Sequence, residues 1–178
     1  MQKKKYLIYV FILAVGLATI ISFVTEAIIG IITGCFIALL GSYIIYKEKI
    51  GQEIIVAFLF ALALTAYYNY EYKTINLYIG KINLFPLLTW TCGFVALREI
   101  YENIPKEKRF LNSVLIYIFI LFCLEYFGYY LLGIKLNSNY PSIFGIGILH
   151  GPVLLQIIYL IIGPVYLTVT EYLKLKYV

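Results

Sequence analysis

The chain contains six apolar runs, each long enough for an α-helix to cross the hydrocarbon core of a bilayer, which takes about 20 residues. We place these runs at about 6–23, 26–46, 53–70, 83–101, 110–132 and 152–173. Hydrocarbon offers no water to backbone N–H and C=O groups, and a helix satisfies them within one segment. The sequence therefore predicts an all-α, polytopic membrane protein, in which residues 1–178 form a single six-transmembrane-helix bundle.

The composition excludes an ordinary soluble domain. Hydrophobic residues make up 63% of the chain and charged residues 13%, whereas soluble domains carry about 25% charged residues. The net charge of +5 could suit a nucleic acid, but the basic residues cluster at the ends of the apolar runs. Membrane topology requires that distribution. We therefore expect membrane lipids as partners and no nucleic acid.

The basic residues also predict the orientation of the chain. If the N-terminus lies inside, 11 of the 14 basic residues fall on that side, and Lys73, Lys81 and Lys135 fall on the other. Lys and Arg are concentrated in cytoplasmic loops. Six spans return the chain to the side on which it began. We therefore predict cytoplasmic N- and C-termini and a multi-pass protein of the cell membrane.

Small residues recur at every fourth position of the first three runs, a spacing that lets helix backbones approach closely in lipid. They favour tight packing within the chain over a dimer interface. These residues are Ala14, Ala18, Ser22, Gly30, Gly34, Ala38, Ser42, Ala57, Ala61 and Thr65.

The three cysteines and the single histidine do not predict a metal or a cofactor. Cys35, Cys92 and Cys123 each lie inside an apolar run and form no CxxC pair. Free cysteine behaves as a small buried hydrophobe. A structural zinc site or a bis-histidine haem would need more ligands than this chain supplies.

A carboxylate inside an apolar run marks the candidate site, because an ionisable residue in a membrane span is costly unless it is paired or hydrated. Counted at about 1.5 Å per residue, Trp90, Glu125 and Gln156 fall roughly 10 Å below the outer surface. The loop 136–151 is too apolar for a solvated loop, so it lies in the interface or folds back as a lid. We predict an outward-facing pocket. Its predicted ligand-binding residues are Glu125, His150, Gln156, Trp90, Asn69 and Glu26.

The predicted function is that of a small-molecule binding or transport subunit. Six helices, cytoplasmic termini and the pair Ala14-x-x-x-Ala18 resemble the substrate-binding subunits of energy-coupling-factor vitamin transporters. That resemblance implies a small apolar or vitamin-like ligand and a membrane or cytoplasmic partner subunit.

Two alternatives remain open, so the sequence does not decide whether the protein is an enzyme. The stretch with Glu125-x-x-Gly128, Tyr140 and the run from Gly147 to Pro152 looks like part of the membrane carotenoid hydratases and cyclases. This second resemblance implies an intramembrane enzyme for a polyprenyl or carotenoid-like lipid. Glu125 would then be the general acid, and His150 a second candidate catalytic residue. The other alternative is a non-catalytic subunit of a larger membrane complex.

Overall fold

The computed structural model describes residues 2–46, 48–74 and 76–176, which are mostly helical. Within them lie six α-helices, each on one of the six apolar runs. They are α1 (Gln2–Val24), α2 (Ala27–Tyr46), α3 (Glu48–Tyr67), α4 (Leu84–Asn103), α5 (Arg109–Tyr126) and α6 (Val153–Lys176). The mostly helical fold is therefore confirmed.

A small antiparallel hairpin departs from the all-α prediction. Strand β1 (Tyr78–Ile79) pairs with β2 (Ile82–Asn83) just before α4. Gly80 has a φ of 61°, and a two-residue hairpin needs a residue that tolerates positive φ. Asn83 is buried and donates to Tyr70 O at 3.0 Å, and its Oδ1 accepts the Phe85 N–H at 3.1 Å. The hairpin thus anchors the start of α4.

Three helical segments of the described residues are long and apolar enough to cross a membrane: Ala27–Ile45, Lys106–Leu131 and Val153–Leu173. Two shorter apolar helices cover Ile12–Val24 and Gly51–Tyr67. The count of six spans and the orientation of the termini remain predictions. Among the basic residues behind that orientation, Lys47 lies outside the described residues, as do the side chains of Lys3, Lys4, Lys5, Lys49, Lys174 and Lys176.

The chain forms two compact units. The N-terminal unit comprises Met1–Tyr70 and Thr74–Gly93, and the C-terminal unit comprises Glu71–Lys73 and Phe94–Val178. Helix α4 contributes its first half to the N-terminal unit and its second half to the C-terminal unit. Helices α1, α2 and α3 pack together in the N-terminal unit, and α5 packs against α6 in the C-terminal unit.

In the N-terminal unit, α1 and α2 pack through their small residues. A Cβ placed on Gly30 would lie 2.4 Å from Ala18 O, and one placed on Gly34 would lie 2.7 Å from Ala18 Cβ. Ala57 and Ala61 of α3 are fully buried. The repeated small residues thus serve close packing within the chain, as their spacing predicts.

In the C-terminal unit, α5 and α6 meet where a glycine makes room for an aromatic ring. A Cβ placed on Gly163 would lie 2.6 Å from the Tyr117 ring. The Tyr117 hydroxyl donates to the backbone carbonyl of Tyr159. The second half of α4 joins them through Phe94, which stacks on Tyr166 with ring centroids 4.8 Å apart.

Candidate functional site

Helix α5 ends in a wider turn immediately after Glu125. Residues Phe127–Leu131 form one π-helical turn, in which the Leu132 N–H donates to Phe127 O at 3.0 Å. Gly133 follows with a φ of 65°, a left-handed conformation that commonly ends a helix. Single π turns inside helices occur often at functional sites, since they change the direction in which the following side chains project.

Glu125 and His150 lie side by side. Oε1 of Glu125 accepts the backbone N–H of His150 at 2.9 Å, and it lies 3.4 Å from Nδ1 of the imidazole. Nδ1 is buried and makes no hydrogen bond among the described residues. The Glu125 side chain is 27% exposed and that of His150 is 13% exposed. The imidazole therefore lies beside a carboxylate that also accepts a hydrogen bond from the loop backbone.

Aromatic rings and a cation surround this pair. The imidazole of His150 stacks on Tyr129 with centroids 3.6 Å apart and planes at 9°, and Tyr130 meets it edge-on at 6.0 Å. Nζ of Lys135 lies 4.6 Å from the centroid of the Tyr129 ring, a contact worth about 0.5–1 kcal/mol at an exposed position. We call this group the Glu125 cluster; its members are Glu125, Tyr129, Tyr130, Lys135 and His150.

The loop before α6 has an unusual backbone that brings His150 to Glu125. Phe144 and Leu149 adopt positive φ values of 48° and 52°, which are uncommon for residues other than glycine and cost about 1–3 kcal/mol each. Leu149 is buried, whereas Phe144 is almost fully exposed. The last residues of this loop thus contact the end of α5 through the His150 N–H and Glu125.

Gln156 fastens the same loop to α6. It is buried, and its side-chain nitrogen donates to Pro141 O and to Gly151 O, both at 2.8 Å. On the other side of the loop, the Lys73 N–H donates to Lys135 O at 2.8 Å. The Gln156 amide nitrogen thus supports the loop that carries His150.

We expect Gln156→Leu to loosen the loop, since two buried carbonyls would lose their donor, at a cost of about 1–3 kcal/mol each. Amide exchange at Gly147 and His150 should become at least ten-fold faster (about 1.4 kcal/mol or more). The matched control is Gln52→Leu at an exposed position of α3, which should leave exchange in the loop as it is. Unchanged exchange in Gln156→Leu would contradict the supporting role.

The other predicted ligand-binding residues belong to the N-terminal unit. Glu26 is exposed beside the start of α2, where its backbone carbonyl accepts the N–H of Ile29 at 3.0 Å. Asn69 is exposed beyond the end of α3, and Trp90 is half-buried in α4. The structure thus brings Glu125 and His150 into contact and connects Gln156 to the loop that carries His150.

A buried ion-pair network in the C-terminal unit was missed at the sequence level. The Arg98 side chain is only 2% exposed. Its Nη1 lies 2.9 Å from Glu171 Oε1 and 3.3 Å from Thr170 Oγ1. Its Nη2 lies 3.2 Å from Glu102 Oε1. Its guanidinium carbon also lies 5.2 Å from the centroid of the Tyr101 ring. The sequence pattern at the end of the fourth run does not indicate that this arginine contacts a carboxylate of another helix. The available signal was the i, i+4 spacing of Arg98 and Glu102.

An open cleft of about 540 Å³ lies next to this network. Tyr101 and Glu171 form one part of its lining, and the basic segment 106–109 forms another. Arg109 is held there through Nε, which donates to Ile104 O at 3.0 Å. Three cations and two carboxylates belong to the lining of the cleft.

No protein-family model, no curated protein and no solved structure matches this chain. The two resemblances stated from the sequence therefore stay predictions. Any function assigned to the chain depends on the geometry of the Glu125 cluster.

Proposed function

We propose that this chain is a small-molecule binding or transport subunit of the cell membrane. The protein has six spans with both termini in the cytoplasm, and its binding site is the Glu125 cluster at the outer ends of α5 and α6. The observation that carries the proposal is a part-buried carboxylate in an apolar helix, held by a loop N–H and adjacent to a stacked imidazole. Intramembrane carboxylates with such partners are retained for function more often than for stability.

The proposed topology is supported by charge and by length. With six spans, 11 basic residues fall on the cytoplasmic side and 3 on the outer side, which satisfies the positive-inside rule. Each apolar run coincides with a helix of about the required length. In that topology the loop between α5 and α6 faces outward, and the Glu125 cluster lies just beneath it.

The chemistry of the cluster suits a small, mostly apolar or aromatic ligand with one or two polar groups. The exposed Tyr130 ring offers an apolar face, the Glu125 carboxylate accepts hydrogen bonds, and Lys135 supplies a cation beside Tyr129. Ligand sites typically combine apolar and aromatic walls with a few placed polar groups. A vitamin-like molecule fits that description better than an inorganic ion does.

A partner subunit would have to use a surface other than the small-residue face of α1. Ala14 is buried, and Ala18 lies against Gly34 of α2. The exposed side of α5, which includes Leu115 and Phe119, offers an apolar surface. The spacing Ala14-x-x-x-Ala18 therefore supports packing within the chain and not a docking site.

Glu125→Gln is expected to abolish retention of the ligand without unfolding the protein. The amide keeps an oxygen for the His150 N–H but loses the charge beside the imidazole, so ligand affinity should fall at least ten-fold (about 1.4 kcal/mol). Native mass spectrometry of detergent-purified protein should show a small molecule on the wild type and none on the variant. The control Glu71→Gln makes the same chemical change at an exposed carboxylate and should keep the bound molecule.

The same spectra can contradict the proposal. If wild type and Glu125→Gln carry only bulk phospholipid, the cluster is not a ligand site. A partner chain present at a fixed ratio, with no small molecule, would favour the non-catalytic subunit instead. A bound isoprenoid, identified by its mass, would favour the enzyme alternative, in which Glu125 is the acid.

A further inference from the structure

Two cysteines from different helices meet in the N-terminal unit. The Cys92 thiol of α4 donates to the backbone carbonyl of Cys35 in α2, with Sγ 3.4 Å from the oxygen. Both are half-buried and reduced. The third cysteine, Cys123, lies on α5 in the C-terminal unit, so Cys35 and Cys92 form a distinct pair.

Their positions along the helices agree with this contact. Cys35 follows the first residue of α2, Ala27, by eight positions, and Cys92 follows the first residue of α4, Leu84, by eight positions. At a rise of about 1.5 Å per residue, each thiol lies about 12 Å along its helix. Both helices start at the outer face in the six-span topology. In this proposed topology the two thiols share one depth, within the hydrocarbon part of the spans.

We propose that Cys35 and Cys92 are a dithiol–disulfide pair that exchanges electrons with a lipid-soluble oxidant of the quinone class. At this depth an apolar oxidant can reach the sulfurs, whereas a charged one such as oxidised glutathione cannot. Formation of the bond requires the Cys92 thiol to leave the Cys35 carbonyl that it now contacts.

The reaction balances as a two-electron exchange. The two S–H bonds break and one S–S bond forms, which releases two electrons and two protons. The quinone takes up both electrons and both protons and becomes the quinol. The product links α2 to α4 within the N-terminal unit. One quinol should therefore appear for each disulfide formed.

The test uses reduced full-length protein in lipid nanodiscs, with the Cys123→Ser variant as background so that only the pair can react. A short-chain quinone is added to one sample and oxidised glutathione to another, and the disulfide is measured by peptide mass spectrometry and thiol labelling. We expect the quinone to link Cys35 to Cys92 in most molecules, with quinol formed in equal amount, and oxidised glutathione to link fewer than one-tenth as many. Cys35→Ser and Cys92→Ser should each abolish both the link and the quinol.

Three results would overturn the proposal. The first is that Cys35 and Cys92 of the Cys123→Ser protein stay fully reactive toward a thiol label after quinone treatment. The second is a link between two copies of the chain. The third is equal oxidation by glutathione, which would place the sulfurs in water. If a variant folds poorly, the same experiment is done on the wild-type protein. Peptide mass spectrometry then identifies the Cys35–Cys92 disulfide although Cys123 is also present.

Discussion

Arg98→Met is expected to destabilise the protein by about 2–4 kcal/mol, since removing one member of a buried ion pair leaves uncompensated charge behind. Arg98 is almost fully buried and contacts Glu102 and Glu171 directly. These carboxylates are 18% and 29% exposed, so water can solvate part of the charge that Arg98→Met leaves unpaired. The expected loss of stability is therefore in the lower part of the range for buried ion pairs. The unfolding temperature in detergent should fall by about 5–15 °C.

The control for Arg98→Met is Lys108→Met, which removes an exposed cation from the same unit. Exposed charges contribute little to stability, about 0–1 kcal/mol, so this variant should unfold within a few degrees of wild type. The double variant Arg98→Met with Glu171→Gln should recover part of the loss, because one unpaired carboxylate is removed with its partner. If Arg98→Met unfolds at the same temperature as Lys108→Met, the network does not stabilise the fold.

The positions of the helices could be predicted because each helix overlaps one apolar run of the sequence. A run that lies in hydrocarbon must form a helix to satisfy its backbone groups, and Gly80 of the hairpin lies between the third and fourth runs. The Arg98 network could not be predicted in the same way. Glu171 is 73 residues from Arg98 in sequence, and no periodicity along one helix indicates which residue lies opposite on another.

The candidate site was also only partly predictable, because the sequence identifies single unusual residues but not their contacts. Glu125 and His150 stand out singly, one as a charge in an apolar run and the other as the only histidine. Leu149, the residue before His150, has a positive φ, which the sequence does not predict because residues other than glycine rarely adopt it. The stacking of Tyr129 on His150 follows a π turn that carries no clear sequence signal. In a chain with 19 tyrosines, composition could not single out Tyr129.

Gly30→Ala is expected to destabilise the N-terminal unit by about 1–3 kcal/mol, since overpacking forces backbone shifts. The added Cβ would lie 2.0 Å from Ser22 Oγ and 2.4 Å from Ala18 O. The hydroxyl can rotate away, but the carbonyl belongs to the backbone of α1, so the two helices must separate. Ser22→Ala therefore should not rescue Gly30→Ala. Thermal unfolding in detergent measures the effect.

Gly16→Ala separates this clash from the intrinsic effect of alanine in a helix. No described atom lies within 4 Å of a Cβ placed on Gly16 in α1, so that variant gains only the helix preference of alanine, about 0.5–1 kcal/mol. The two substitutions should therefore shift the unfolding temperature in opposite directions, down for Gly30→Ala and slightly up for Gly16→Ala. Equal shifts of the same sign would mean that α1 and α2 are not in close contact, and the small residues would then be available to a partner chain.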